Sequence, residues 1–249
     1  APMLSSFGGG SARGFNPGGG GENLYDFTSF TFTNASQIGL SGPSLAQCQT
    51  AYSGQDFLTG FFSVPTAGYQ TLVVPTTADY RILVNGSQGG CGLPQFRGGY
   101  GAAMKGVVSL TQGDSLVMLV GQLGGRFQTA ETSGSSGGGG GGSFVFTNSV
   151  ATGNLLIAAG GGGGGGGNTN SGSGQPGLTT TTGGQASPPG TASPGSGGSG
   201  GEAANGGGGG GGLTGTGSGG ADTAAGGQAI ISGGNGGRGG ECSASQGGV

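Results

Sequence analysis

The chain has no histidine and no tryptophan, and only 6% of its 249 residues are charged. Without imidazole, the commonest general acid–base group near neutral pH and the commonest metal ligand are both missing. The acids offer no substitute, because Asp79, Asp114, Glu131 and Asp222 are scattered, with no pairing that suggests acid–base work. Cys48, Cys91 and Cys242 form no C-x-x-C and, with no His, no standard zinc site. Carboxylates are not clustered as a calcium loop requires, and no Gly-Lys-Ser/Thr supports a phosphate loop. GxGxxG matches are unavoidable at this composition and carry no weight. These absences predict a protein that is not an enzyme and takes no cofactor or metal.

Positive charge is equally sparse. The six cations, Arg13, Arg81, Arg97, Lys105, Arg126 and Arg238, build no phosphate-tracking stripe, and the net charge is −3, so nucleic acid is not an expected partner. No apolar stretch approaches the roughly 20 residues of a membrane helix. No signal peptide is evident, and a chain beginning at Ala1 fits a processed or partly observed product.

What the chain has in excess is glycine, 73 residues, including the uninterrupted runs Gly137–Gly142, Gly160–Gly167 and Gly206–Gly212. Such runs usually make flexible linkers. Ordering the longest costs on the order of 10 kcal/mol or more, which an isolated run cannot recover. In a bundle of threefold extended strands, each peptide can exchange hydrogen bonds with neighbours at about 1 kcal/mol net apiece, and bare backbones can pack closely. At about 3.1 Å per residue the runs are matched at roughly 19–25 Å. Collagen is excluded, since there is no Gly-X-Y period and Pro totals only 10.

Organisation changes near Gly124. Before it, short β-branched and aromatic runs read as strands: Tyr25–Phe32, Phe57–Val64, Gln70–Val74, Tyr80–Val84, Gly106–Leu110 and Ser115–Val120. Alternation places Tyr80, Ile82 and Val84 on one face, whereas Leu116–Val120 is apolar on both faces and should be central. Six such strands suit an all-β, jelly-roll-like β-sandwich. After Gly124, only Ser143–Thr147, Asn154–Ala159 and Gln228–Ser232 keep strand character. They are expected to finish the sandwich while the glycine runs leave it as a separate layer. The expected division is an arm over 1–21, sandwich over 22–124, and a glycine bundle with completing strands over 125–249.

Three cysteines leave two readings. One is a single disulfide with one buried or unpaired thiol; the sharper one is a Cys48–Cys91 bridge with Cys242 unpaired or pairing between chains, in an oxidising compartment. The sequons at Asn34 and Asn85 favour that compartment weakly. Glycans are therefore expected partners, with O-linked sugar a further option over Leu178–Pro194 beside the plainer reading of a solvated loop.

Specific residues then carry a family resemblance. Phe30-Thr-Phe-Thr-Asn34, Gly42-Pro-Ser-Leu-Ala-Gln-Cys48, Ala51-Tyr52, Gly68-Tyr-Gln70, Val74-Pro75, Tyr80-Arg-Ile82 and Gly86-Ser-Gln-Gly-Gly90 form an ordered series. It continues through Gly137–Gly142 with Ser143-Phe-Val145, and Leu155-Leu-Ile-Ala-Ala159 with the longest glycine run. Over roughly residues 26–249 this resembles the extracellular glycine-rich domain of anaplastic lymphoma kinase and leukocyte tyrosine kinase receptors, a type also found in predicted secreted microbial and protist proteins. The resemblance implies a sandwich like that of tumour necrosis factor with an inserted bundle of polyglycine helices, and an extracellular or cell-surface location. No kinase signature is present, and no residue matches a cytokine-binding surface.

The chain departs from that family at its ends. It stops at Gly247-Gly-Val249 where a Gly-Phe-Gly-rich stretch would follow, while Ser6-Phe-Gly-Gly-Gly10 and Pro17-Gly-Gly-Gly-Gly21 read like the missing piece. The expectation is an arm, about 1–21, inserted into the next subunit to give a head-to-tail filament, with Phe7 and Phe15 as apolar anchors and Pro17 keeping the arm extended. The alternatives are an arm folded back on its own domain or a disordered terminus, a ligand- or surface-binding ectodomain or adhesin, and, more remotely, ice binding.

Overall fold

The computed structural model describes residues 5–9, 23–38, 41–91, 96–125, 137–165, 172–179, 212–216 and 227–234, the first of these as backbone only. Nine strands are described: β1 (Ser5–Gly9), β2 (Ser29–Phe32), β3 (Phe62–Ser63), β4 (Tyr69–Val73), β5 (Ala78–Asn85), β6 (Ala103–Leu110), β7 (Ser115–Leu119), β8 (Ser143–Thr147) and β9 (Leu155–Ala159). They form two antiparallel sheets, ordered β2-β1-β5-β6 and β3-β4-β7-β8-β9. The fold is all-β, and the apolar core between the sheets fits a β-sandwich.

Alternation explains the four-stranded sheet. In β5, Tyr80, Ile82 and Val84 are buried, while Asp79 and Arg81 face solvent. The five-stranded sheet is apolar on both faces. Leu116 and Met118 of β7 and Val145 of β8 join the core between the sheets, and Val117, Leu119, Phe144 and Phe146 form a second cluster on the opposite face. That second face is covered by Leu213 and Ile230. A central strand clothed on both sides is what the apolar run Leu116–Val120 requires.

The cover is also where an expected strand is replaced. Gln228–Ser232 contains a 3-10 turn, Ile230–Ser232, closed by Gly233 at φ 120°. The segment lies across the sheet rather than adding to it. Phe57–Val64 likewise divides into a 3-10 turn, Asp56–Leu58, and the two-residue β3, because Gly60 takes a positive φ between them. Only the end of Tyr25–Phe32 is strand; Tyr25 instead packs on Phe57 and Phe61 and donates its hydroxyl to Val73 O.

One helix is described, α1 (Leu45–Ala51). Ser44 and Gln47 close a capping box that satisfies two amides of its first turn. The helix turns Cys48 inward, and Tyr52 at its end meets Phe30, Phe32 and Phe62 edge-on.

Candidate functional site

Two features stand out: the placement of β1 and the glycine backbone beyond one end of the sheets.

β1 lies between β2 and β5 and pairs with both. Phe7 is in register with Phe30 on one side and Ile82 on the other, and Ser6 with Thr31 and Leu83. Residues 5–9 of the arm therefore fill a position inside their own chain's sheet. Phe15 and Pro17 lie outside the described residues. The walls of the slot are apolar: Ile82 and Val84 are buried on β5, and Phe30 and Phe32 on β2 join Phe57 and Tyr52 in a ring cluster. Tyr52 is fixed by its hydroxyl, which contacts Gln70 Oε1 at 2.7 Å and accepts from the Thr33 amide at 2.9 Å. Burial pushes this phenol up to about 12, so it stays protonated at neutral pH.

The strands that run toward one end of the sandwich continue as glycine segments: 86–91 after β5, 97–102 before β6, 121–125 after β7, 137–142 before β8 and 160–165 after β9, with 174–177 alongside. Their backbones bond to one another every third residue. Ser87 and Gly90 donate to Gly141 and Gly138, Gly137 and Gly140 to Gly165 and Gly162, and Gly162 and Gly165 to Ser87 and Gly90, at 2.8–2.9 Å. Gly99 and Ala102 reach Gly163 and Gly160 the same way. Burial follows the same step: Ala159, Gly162 and Gly165 are buried, and Gly160 and Gly163 exposed. A methyl group on Gly86, Gly89, Gly162 or Gly164 would come within 3.0 Å of a neighbouring carbonyl group. None of these glycines has positive φ, so they are needed for space rather than conformation. Segments 86–91, 97–102 and 121–125 thus join the glycine layer although they precede or straddle the expected boundary at Gly124.

The other expected residues fall apart. Cys48 is fully buried in the aromatic core, Cys91 is half-buried in the glycine layer, and both are free thiols, so the expected Cys48–Cys91 bridge is not formed. The cause is their placement, since the capping box turns Cys48 into the core while Cys91 ends the segment that leaves β5. Cys242 lies outside the described residues. Burial pushes the Cys48 thiol up to about 11. Asn34 is buried and its Nδ2 donates to Gln37 O at 2.8 Å, which opposes a glycan there. Asn85 is half-buried at the end of β5. Asp79 accepts from the Ser109 hydroxyl, and Asp114 Oδ2 from the Thr111 amide in a turn. Glu131 and Asp222 lie outside the described residues. Among the described residues no group of three His, Cys, Asp or Glu could hold a metal, and no helix is long and apolar enough to cross a membrane.

Comparison with known proteins adds a partial similarity. The chain is 32% identical over 97 residues to the leukocyte tyrosine kinase receptor of Mus musculus. The match covers 38% of this chain and only 11% of the receptor. No family model matches.

Sequence reasoning missed α1, although Ser44-Leu-Ala-Gln47 is a legible capping signature. It also preferred to place the arm in another subunit; of its readings, an arm folded back on its own domain is the one that the pairing of residues 5–9 fits.

Proposed function

We propose that this chain is a non-enzymatic extracellular structural protein, the subunit of a self-assembling filament in which β1 is donated to the neighbouring subunit. The sandwich is read as jelly-roll-like, and the glycine layer as a bundle of polyglycine-II-type helices. The three-residue recurrence of hydrogen bonds, the negative φ and the missing room for Cβ support the bundle.

The observation that carries the assembly reading is the way β1 is tethered. Antiparallel neighbours need only a two- to five-residue loop, yet β1 and β2 are joined by residues 10–28. Fully extended, that connection reaches roughly 60 Å at about 3.3 Å per residue. The same strand can therefore sit in its own slot or in that of another copy, the exchange by which domain-swapped polymers form. A head-to-tail contact of this kind does not close on itself unless its rotation does. The glycine bundle supplies an end whose described segments carry a single charged side chain, Arg97, and a single thiol, Cys91.

Electron microscopy of the untagged chain tests this. Regular filaments, lost when residues 1–21 are deleted, are the expected result; filaments persisting without the arm refute donation. A second reading, a ligand- or surface-binding ectodomain, is favoured by the receptor similarity. Dispersed monomers under all conditions would favour it.

A further inference from the structure

We infer that the arm is also a restraint on assembly: seated in its own sheet, β1 keeps the free subunit closed until it withdraws. This rests on the filament reading and adds a regulatory step to it.

The slot takes one strand. β1 makes four registered pairs with β2 and five with β5 and leaves no space between them. A neighbour's arm can enter only after the resident arm has left. While the arm is absent, β2 has no partner at all among the described strands, because it is the edge of the sheet and pairs with β1 alone. β5 keeps β6 and loses its other side. An empty slot thus exposes two unpaired strand edges above the ring cluster of Phe30, Phe32 and Phe57, an adhesive surface of the kind that native proteins cover. Self-seating covers it in the free subunit. Exchange replaces each contact with its equivalent from another copy, so the two states differ little in contact energy, and the barrier is the release of β1.

Two properties follow. Release is unimolecular, so the rate constant for assembly from purified monomer reaches a ceiling that raising the protein concentration does not lift. The closed monomer also protects the β2 amides. Both are measured on the full chain, beside the chain lacking residues 1–21 and a locked variant, Ser6→Cys with Leu83→Cys, whose positions face each other across β1 and β5. A second lock, Gly8→Cys with Arg81→Cys, guards against a local misfit of the first.

The expected result is a protected β2 in the monomer, lost on deleting the arm, together with that ceiling on the rate constant. Oxidised locks stay monomeric and assemble when reduced. If oxidised locks make no filaments, yet the rate constant keeps rising with protein concentration or the β2 amides exchange as in the deleted chain, this inference falls and arm donation stands. If oxidised locks form filaments at the wild-type rate, or the native chain forms none, both fall.

Discussion

The hydroxyl of Tyr69 donates to the carbonyl oxygen of Ile230 at 2.9 Å, across 161 positions of sequence. The bond ties the first residue of β4 to the turn that covers the outer face of the five-stranded sheet. Burial raises the Tyr69 phenol above its ordinary value, which keeps it a donor.

Tyr69→Phe removes the donor and leaves the Ile230 carbonyl with only the longer 3.3 Å bond from the Gly233 amide. The expected cost is about 0.5–1.5 kcal/mol. Because Val117, Leu119 and Phe144 are packed beneath the same turn, the loss should appear first as local opening. Denaturant melts of the variant, with hydrogen exchange at 227–234, check this; unchanged exchange there would mean that apolar packing alone holds the turn.

The glycine layer predicts opposite outcomes for neighbouring, chemically identical residues. Gly162 is buried and a Cβ there would fall within 3.0 Å of the Gly99 carbonyl, whereas nothing lies within 4 Å of a Cβ on the exposed Gly160. Gly162→Ala should cost about 1–3 kcal/mol or more through overpacking. Gly160→Ala should be neutral or stabilise by up to about 1 kcal/mol, since it restricts only the unfolded chain. Thermal melting of the two variants decides; equal effects would refute threefold packing of this run.

That contrast also marks what the sequence can and cannot express. Strands announced by alternation or by a run apolar on both faces are found at Tyr69–Val73, Ala78–Asn85, Ser115–Leu119, Ser143–Thr147 and Leu155–Ala159, within a few residues of expectation. Glycine runs carry no pattern, so nothing in Gly160–Gly165 distinguishes an inward from an outward position; only the neighbours do. For the same reason Gly86-Ser-Gln-Gly-Gly90 falls within the stretch expected to be sandwich and lies amid the layer, bonded to four other segments. Ile230 looks like strand because its side chain is apolar, but its burial comes from lying on a sheet already complete. The position of β1 is unreadable from composition, since its pairing partners begin 20 and more residues away.

Alkaline stability follows from buried acids. Burial raises the Cys48 thiol from 9.0 to about 11 and the Tyr52 phenol from 10.0 to about 12, and lifts Tyr25 and Tyr80 in the same direction. A raised folded pKa means that the unfolded chain loses its proton first. Stability from these groups is therefore complete below about pH 9 and declines as pH rises through the folded values toward 12. Equilibrium denaturation between pH 7 and 12 should be flat to pH 9 and then fall, with Cys48→Ala removing the earliest part of the fall. Stability rising with pH in that range would contradict the burial of these groups.

Gln122 sits where β7 passes into the glycine layer, with no exposed surface. Its Nε2 donates to Ser41 O at 2.9 Å, its own carbonyl accepts from the Gly141 amide, and its side-chain Oε1 has no partner. The donor is useful and the acceptor is a buried cost, so substitutions should divide by chemistry rather than by size. Gln122→Glu keeps the shape but places an anion beside the Ser41 carbonyl with no compensating donor; it should destabilise strongly at neutral pH and recover as pH falls and the carboxyl protonates. Gln122→Met gives up one hydrogen bond and removes the orphaned oxygen, and should cost no more than about 1 kcal/mol. Comparing the two melts at pH 7 and pH 4 tests this, because a Glu variant as stable as wild type at pH 7 would require a donor at Oε1, such as an ordered water.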